Sequence, residues 1–424
     1  MSKNNKEKSL SQAENVTFQD ALEDVLRQGA RRLLQTVIEA EVEDFIDSYK
    51  MYRDQQGKRL TVRNGYMPER ELLTSMGPIS IKQPRIDDRK LRQEKGERFS
   101  SAILPKYMRR VPSVDNLLPT LYLKGVSTQD FPAALSAILG DNAKGLSANT
   151  IVRLKERWQD EYKNWSERDL SEKKYVYLWA DGIYFNIRLK KDVSVCILVI
   201  IGADIEGNKE LLAVCDGIRE SEISWTEVLL DLKARGLSIE PSLAIGDGNL
   251  GFWKALSKIY PCTREQRCWV HKTSNLLDKL PKTYHAQAKK LIHEMYMAPD
   301  KDTALRSYHK FINLYDAKYP KASQCLKKDV DQLFTFYDFP AIHWQHIRTT
   351  NPIESTFATV RLRTKRTKGC GSLEATLTMT FKLAKEAEKR WRKLRGYRII
   401  PFVLDGEKFS DGEPENENLK KLAA

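Results

Sequence analysis

The chain has 424 residues and a mass of 48.9 kDa, which is long enough for two or three domains with separate cores. It has no run of 18 apolar residues, and residues 1–16 are polar without an apolar signal core, so we expect a soluble, cytoplasmic protein rather than a membrane or secreted one. Lysine and arginine total 71 against 57 acidic residues, and the net charge of +14 favours a polyanionic partner, most simply nucleic acid.

The first 112 residues change from a helical to an extended pattern. Apolar side chains in residues 17–47 recur at steps of three and four, which predicts one long amphipathic helix or two. Residues 59–84 have the pattern of short extended pieces, with turn signals at Asn64-Gly65 and Gly77-Pro78. Residues 85–110 are rich in lysine and arginine, and they form either a solvated surface or a surface that contacts phosphates.

Two helices joined by a tight polar turn are predicted within residues 127–158. Ser127 begins a capping-box-like start, Gly140 can end the first helix, and Ser147 can cap a second that runs on to Trp165. This pattern is typical of a helix-turn-helix, although any helical hairpin shares it. In a helix-turn-helix, the second helix would present four side chains to DNA: Asn149, Thr150, Arg153 and Arg157.

An apolar, β-branched and aromatic run from Tyr175 to Arg188 predicts a buried strand with one acid, Asp181, in its middle. A buried ionised carboxylate is costly unless it is paired or binds a metal ion. The alternative is a two-residue hairpin turn at Asp181-Gly182, which would place the acid in solvent.

Strands and helices then alternate in an order that indicates a fold class. The order is β-β-β-α-β-α-β, which is that of an α/β ribonuclease-H-like core. An all-α insertion with its own small core occupies residues 272–346, and a closing helix begins at Asn351. The elements before the insertion are strands at 193–202 and 210–215, a helix capped by Ser224 that ends near Arg235, a strand at 241–247, a helix around 252–256, and a strand at 266–271.

Three acids fall on elements that such a sheet would bring together: Asp181 on the first strand, Asp247 at the end of the fourth, and Glu354 on the closing helix. The first and fourth strands are neighbours in this fold, so the three carboxylates would form an oxygen-only site suited to Mg²⁺. Each acid also has a purely structural explanation, since Asp247 can start the next helix and Glu354 can belong to a capping box.

Downstream of Glu354, bases share the face of the same helix. Ala358, Arg361, Lys365 and Lys368 follow at i+4, i+7, i+11 and i+14, and Arg363 and Arg366 flank this stripe. A solvated helix face usually mixes charges of both signs. A stripe of bases beyond a lone acid instead fits a helix laid along a phosphate backbone.

Several of these segments together resemble the Mutator-type transposases of bacterial insertion sequences, which have an Asp-Asp-Glu active site. The resemblance covers roughly residues 17–410. The matching segments are 63–66 (RNGY), 123–127 (LKGVS), 179–185 (WADGIYF), 246–248 (GDG), 263–272 (TREQRCWVHK) and 346–355 (HIRTTNPIES).

The resemblance implies that Asp181, Asp247 and Glu354 are the family's catalytic, metal-binding acids. It also implies that Cys268 and His271 are its C-x-x-H motif. A zinc site needs four ligands and no second Cys/His pair stands nearby, so we expect these two residues to support the site structurally without binding metal.

The function that follows from the resemblance is that of a DNA transposase. It would bind the terminal inverted repeats of an insertion sequence, cleave the ends by Mg²⁺- or Mn²⁺-dependent hydrolysis, and join the freed 3′-hydroxyl to target DNA as a homodimer or larger oligomer. A non-catalytic DNA-binding regulator and a structure-selective nuclease are the alternatives. The domain organisation predicted is a helical segment (1–57), a short-strand basic segment (58–112), a helix-turn-helix region (113–170), the first part of the core (171–271), the insertion (272–346), core-closing helices (347–400) and an acidic tail (401–424).

Overall fold

The computed structural model describes residues 4–124, 126, 130–139, 148–186, 194–248, 250–366 and 372–416. The chain separates into two compact units, residues 1–152 and 153–424. Both α-helices and β-strands are present, and no helix in the described ranges is long and apolar enough to cross a membrane.

The first unit is built around one long helix packed on short strands. The helix predicted within residues 17–47 is confirmed as a single helix, and its Ile38 and Val42 are fully buried. Ile38 packs with Leu72 and Ile79 of a β-hairpin, whose tight turn requires the positive φ of Gly77. The elements are α1 (Asn4–Ser48), β1 (Val62–Tyr66), β2 (Arg70–Thr74), β3 (Gly77–Ile81), β4 (Pro84–Asp87), α2 (Arg89–Lys95), α3 (Pro112–Lys124) and α4 (Phe131–Leu139). Helix α5 (Ala148–Ser166) begins in the first unit and continues into the second.

The two helices predicted near residues 127–158 correspond to α4 and α5. Helix α5 continues to Ser166, as its sequence predicted. The cap at Ser127 and the connecting residues 140–147 lie outside the described residues. The helix-turn-helix therefore stays a prediction.

The second unit contains a five-stranded sheet in the order β7-β6-β5-β8-β9. Strands β5, β6 and β7 are antiparallel, whereas β8 and β9 run parallel to β5. The β-β-β-α-β-α-β order predicted from the sequence is present in the elements β5 (Tyr175–Asn186), β6 (Ser194–Asp204), β7 (Lys209–Gly217), α6 (Glu222–Ala234), β8 (Leu243–Gly246), α7 (Leu250–Ile259) and β9 (Arg264–Arg267).

Three local details differ from the sequence-based expectation or resolve an alternative within it. Strand β5 passes through Asp181-Gly182 in regular register with β6, so the hairpin-turn alternative is wrong. Helix α6 is capped by Ser221 and not by Ser224, because the Ser221 hydroxyl accepts the Ser224 N–H at 3.2 Å. The predicted strand at residues 266–271 ends at Arg267, and the next helix begins at Trp269.

Side-chain alternation along β5 divides the core between the two faces of the sheet. Leu178 and Ala180 pack with buried residues of α6 and α7, including Trp225 and Phe252. On the other face, Tyr177 and Trp179 hydrogen-bond to residues just before the closing helix. The Tyr177 hydroxyl lies 2.7 Å from His343 Nδ1, and Trp179 Nε1 donates to the His346 carbonyl at 3.0 Å.

The rest of the second unit is mainly helical. Its remaining elements include short 3₁₀ turns at Lys282–Tyr284, Thr335–Asp338, Ala341–His343 and Tyr397–Ile399. The helices and strands are α8 (Trp269–Leu277), α9 (His285–Met297), α10 (Lys301–Tyr315), α11 (Pro320–Lys327), α12 (Val330–Leu333), α13 (Trp344–Ile347), α14 (Asn351–Arg366), α15 (Leu373–Glu388), α16 (Ile400–Leu404), β10 (Phe409–Ser410) and β11 (Glu413–Pro414).

Buried polar contacts attach the helical segment to β9 and α8. The Gln266 side chain donates to the Leu333 carbonyl at 3.0 Å and accepts the Phe336 N–H at 2.8 Å. Asp329 forms ion pairs with Lys272 Nζ at 2.5 Å and with Arg267 Nη2 at 3.5 Å, and all three side chains are nearly buried. One acid therefore compensates two cations that cannot reach water.

We predict that Asp329→Ala lowers the free energy of unfolding by about 3–5 kcal/mol, because Lys272 and Arg267 keep hydrogen bonds to backbone carbonyls but lose the carboxylate that neutralises their buried charges. Asp316→Ala is the control, since Asp316 pairs with Lys327 at 2.8 Å while both side chains remain over 40% exposed. It should have a much smaller effect, because an exposed ion pair contributes little to stability. Urea unfolding followed by tryptophan fluorescence measures both, and equal losses would contradict the assignment.

Candidate active site

The register between β5 and β8 places two acids at one edge of the sheet. Trp179 of β5 lies opposite Ile245 of β8, and the strands are parallel. An aspartate follows each of these residues two positions later in the sequence: Asp181 after Trp179 and Asp247 after Ile245. Parallel strands advance together, so the two carboxylates come from corresponding positions of neighbouring strands.

Helix α14 brings the third acid to this edge. The segment before it is attached to the core by two hydrogen bonds, from Trp179 Nε1 to the His346 carbonyl at 3.0 Å and from the Trp269 N–H to the Arg348 carbonyl at 3.0 Å. Glu354 lies in the first turn of the helix, and its N–H donates to the Thr350 carbonyl at 3.1 Å. The position of Glu354 thus depends on contacts with β5 and α8.

Thr350 is the centre of a hydrogen-bonded cluster beneath Glu354. Its hydroxyl, which is fully buried, lies 3.2 Å from Cys268 Sγ, 3.4 Å from His271 Nδ1 and 3.2 Å from Glu354 Oε1. The Thr350 N–H also donates to the Cys268 sulfur at 3.3 Å. A hydroxyl has one proton to give, and a carboxylate is a stronger acceptor than a sulfur, so this geometry favours donation to Glu354.

His271 supplies positive charge next to the acids. A hydrogen bond with Cys268, together with the charges of Asp181 and Asp247, raises the pKa of His271 to about 10 against the opposing effect of burial. Its Nε2 atom lies 3.7 Å from Glu354 Oε1. The imidazolium therefore offsets part of the negative charge that the site accumulates.

The Asp181 carboxyl has a raised pKa. Burial, opposed by the nearby positive charge of His271, raises the pKa of Asp181 to about 7, and the charges of Glu220 and Asp247 add to the increase. Asp181 is only 8% exposed, and its carboxylate accepts a hydrogen bond from the Gly182 N–H at 2.9 Å. A cation at this position would remove the cost of ionising the group.

The possible metal ligands near Glu354 fall into two sets, one of carboxylate oxygens alone and one that includes a sulfur and a nitrogen. Asp181, Asp247 and Glu354 offer carboxylate oxygens, which are the ligands that Mg²⁺ and Mn²⁺ prefer. Within the described residues, the donor atoms that lie within 4.8 Å of one another belong to Cys268, His271 and Glu354, and neither Asp181 nor Asp247 is in this group. The Thr350 hydroxyl contacts all three members of the group.

The residues predicted to contact DNA lie on α5 and α14. Arg153 and Arg157 are exposed on α5, and Arg361 is exposed on α14. For Asn149, Thr150, Arg363, Lys365 and Arg366 the structure describes the helical backbone only, and Lys368 lies outside the described residues.

Sequence reasoning missed two sets of residues around Glu354. Thr350 precedes the Asn-Pro start of α14, and a threonine before such a start is a capping signal that identifies the position without its role. Lys209 and residues 390–392, which line a pocket next to Glu354, come from distant stretches. No local pattern relates β7 to the residues after α15.

Comparison with known proteins confirms the resemblance inferred from the motifs. The family model described as Transposase, Mutator family, matches residues 1–393. The chain is 50% identical to the transposase for insertion sequence element IS6120 of Mycolicibacterium smegmatis over 299 residues, which are 70% of this chain and 92% of that protein. It is also 50% identical to the transposase for insertion sequence element IST2 of Acidithiobacillus ferrooxidans over 287 residues, 68% of this chain and 96% of that protein.

Among solved structures, the Drosophila P element transposase strand transfer complex covers 78% of this chain and 88% of its own at 9% identity. Its TM-score of 0.30 is too low to establish a common fold. The family match and the two relatives establish the relationship without it. This chain belongs to the Mutator family of transposases.

Proposed function

We propose that this chain is an Asp-Asp-Glu DNA transposase that cleaves the ends of an insertion sequence and joins them to target DNA. The observation that carries the proposal is that all three acids lie around one imidazole in a Mutator-family chain: His271 Nε2 is 3.7 Å from Glu354 Oε1, and the charges of Asp181 and Asp247 raise the pKa of His271. The sheet order supports a ribonuclease-H-like core, interrupted by the helical segment between β9 and α14.

Asp181, Asp247 and Glu354 would hold Mg²⁺ or Mn²⁺. A pair of such ions activates a water or hydroxyl nucleophile and stabilises the leaving oxygen of an in-line phosphoryl transfer. The donor set and the burial of Asp181 both support this assignment.

The chain's own groups prepare the site in three ways. The pairing of β5 with β8 would bring Asp181, in β5, and Asp247, directly after β8, to the same edge of the sheet. The Thr350 hydroxyl would orient the Glu354 carboxylate. The Thr350 N–H donates to the Cys268 sulfur, which would keep Thr350 in position. His271 lowers the electrostatic cost of bringing the acids together.

DNA would be held by basic surfaces on two helices, α5 and α14. The N-terminal region, through α5, would recognise the terminal inverted repeats, with Arg153 and Arg157 on its exposed face. The bases of α14 beyond Glu354 would follow the phosphate backbone away from the cut. Two ends must be processed together, so we expect a homodimer or larger oligomer on nucleoid DNA.

We predict that Asp181→Asn, Asp247→Asn and Glu354→Gln each reduce end cleavage and strand joining by roughly 10³-fold or more, while DNA binding persists. EDTA should do the same to the wild-type protein. The measurement is a strand-transfer assay on labelled DNA that carries the element's own ends.

The control for these variants is Asp216→Asn, which removes an exposed acid of β7 and should leave joining unchanged. Tight binding without chemistry by the wild type would favour a regulator. Cleavage without joining would favour a nuclease.

We predict that metal affinity depends on pH through Asp181. Its proton must leave before a metal ion binds, so Mn²⁺ affinity should rise about tenfold per pH unit up to about pH 7 and then level off. The folded pKa lies above the ordinary 3.8, so deprotonation opposes folding. Metal-free stability should therefore fall between about pH 4 and pH 7, and added metal should restore it.

Electron paramagnetic resonance of Mn²⁺ and thermal unfolding across this pH range test both statements. Asp181→Asn is the control for stability, because it cannot titrate and should remove most of the loss. A wild-type affinity that is constant from pH 5.5 to pH 7 would exclude Asp181 as a buried ligand.

We predict that Thr350→Val slows cleavage about 10- to 100-fold, since it removes the hydroxyl that orients Glu354 while keeping the side chain's shape. Thr350→Ser keeps the hydroxyl and should retain activity within about threefold of wild type. Single-turnover cleavage rates, compared at equal thermal stability, measure the effect. Equal loss in both variants would mean that Thr350 contributes only packing.

A further inference from the structure

A cavity of about 640 Å³ lies beside Glu354 in the second unit. Its walls come from the start of β7, from α13, from the first turn of α14 and from the segment after α15. We call it the Glu354 pocket, and the lining residues used below are Lys209, Glu354, Arg390, Trp391 and Arg392. Its volume falls within the range of sites that enclose a single small ligand, roughly 300–1,000 Å³.

The pocket favours an anionic ligand. Three bases line it, and Glu354 is the one acid among the described residues that do so. Arg392 makes no ion pair within the described part of the chain, and Arg390 has only a loose contact with Glu386 at 3.9 Å. Both guanidinium groups therefore remain available to a phosphate.

The half-buried Lys209 is held at the wall of the pocket. Its Nζ atom donates to the Arg392 carbonyl at 2.7 Å, which connects β7 to the segment after α15. His346, which also lines the pocket, adds no positive charge at neutral pH, because burial and the neighbouring Lys209 lower its pKa to about 4. The positive charge of the pocket thus comes from its lysine and two arginines.

Trp391 gives the pocket an aromatic wall. Its Nε1 atom donates to the Thr356 hydroxyl at 3.2 Å, and this bond fixes the indole relative to α14. Sites that hold unpaired nucleotides combine basic groups for the backbone with aromatic rings on which bases stack. The Glu354 pocket has both features beside a proposed metal-binding acid.

We propose that the Glu354 pocket binds the nucleotide that adjoins the scissile phosphodiester, extruded from the duplex. Its phosphate contacts Arg390 and Arg392, and its base lies against Trp391. The assignment rests on the proposed function, since Glu354 in the pocket wall sets the distance between that nucleotide and the bond that is cut. The pocket is then a positioning site that presents one strand to the three acids.

The first test locates the base by photocrosslinking. Full-length protein is bound to a duplex that carries the element's end, with 5-iododeoxyuridine replacing the nucleotides beside the cut one at a time, and Ca²⁺ in place of Mg²⁺. We expect a crosslink at one position to map to Trp391, to persist in Trp391→Phe and to disappear in Trp391→Ala. A wild-type crosslink pattern without residues 390–392 would overturn the assignment.

The second test measures the phosphate contacts by fluorescence anisotropy on the same duplex. Replacing Arg390 and Arg392 together by glutamine should weaken binding about tenfold and reduce the log–log salt slope by about 1.8, because two phosphate contacts are lost. Lys389→Gln with Lys393→Gln removes the same charge from exposed neighbours outside the pocket and should weaken binding less than about twofold. Equal losses in the two double variants would overturn the assignment.

The two proposals fail separately. Wild-type protein that cuts and joins DNA, with no crosslink to Trp391 and no specific effect of the arginines, would overturn the pocket assignment and leave the transposase reaction standing. A Trp391 crosslink with the expected arginine effect, but no cutting or joining in Mg²⁺, would support the pocket and overturn the proposed reaction.

Discussion

The pairing of β5 with β8 is the constraint on which the rest of the site depends. It directs Asp181, in β5, and Asp247, the residue directly after β8, to the same edge of the sheet. Side chains alternate along a strand, so a slip of one residue in β5 would turn Asp181 to the opposite face and bury the apolar residues of that strand on the wrong sides. The extensive pairing of β5 with both neighbours makes such a slip costly. In the proposed site, the sheet would set the positions of the two aspartates, and α14 would add the third acid.

This frame is electrostatically unfavourable in the absence of a cation. Asp181 is buried, and the charges of Glu220 and Asp247 add to the free-energy cost of ionising it. The protein meets part of this cost with His271, whose charge is in turn stabilised by Cys268. Cys268 and His271 both lie within hydrogen-bonding distance of the Thr350 hydroxyl, which also donates to Glu354.

The sequence alone predicted the elements that carry the acids, because each is marked by a strong local pattern. The apolar run around Asp181, the short strand before Asp247 and the Asn-Pro start before Glu354 are all visible within ten residues. The boundary at Cys268 was misplaced because β9 is short and polar, and because Trp269 and Val270 suit a strand as well as a helix. The Thr350 cluster and the Glu354 pocket could not be predicted from the sequence, because they arise from tertiary contacts between stretches up to about 180 residues apart.

The contacts of Gln266, Trp269 and Lys272 have a consequence for how this family can vary in length. These residues form hydrogen bonds and an ion pair with Leu333, Phe336 and Asp329, so residues 329–336 of the helical segment are fixed to β9 and α8. The turn between α9 and α10 is fixed as well, because the Tyr337 hydroxyl donates to the Ala298 carbonyl and the Lys301 N–H donates to Asp411. Insertions and deletions among relatives should therefore collect at the α8–α9 and α10–α11 turns, while the spacing from Asp329 to Glu354 stays nearly constant.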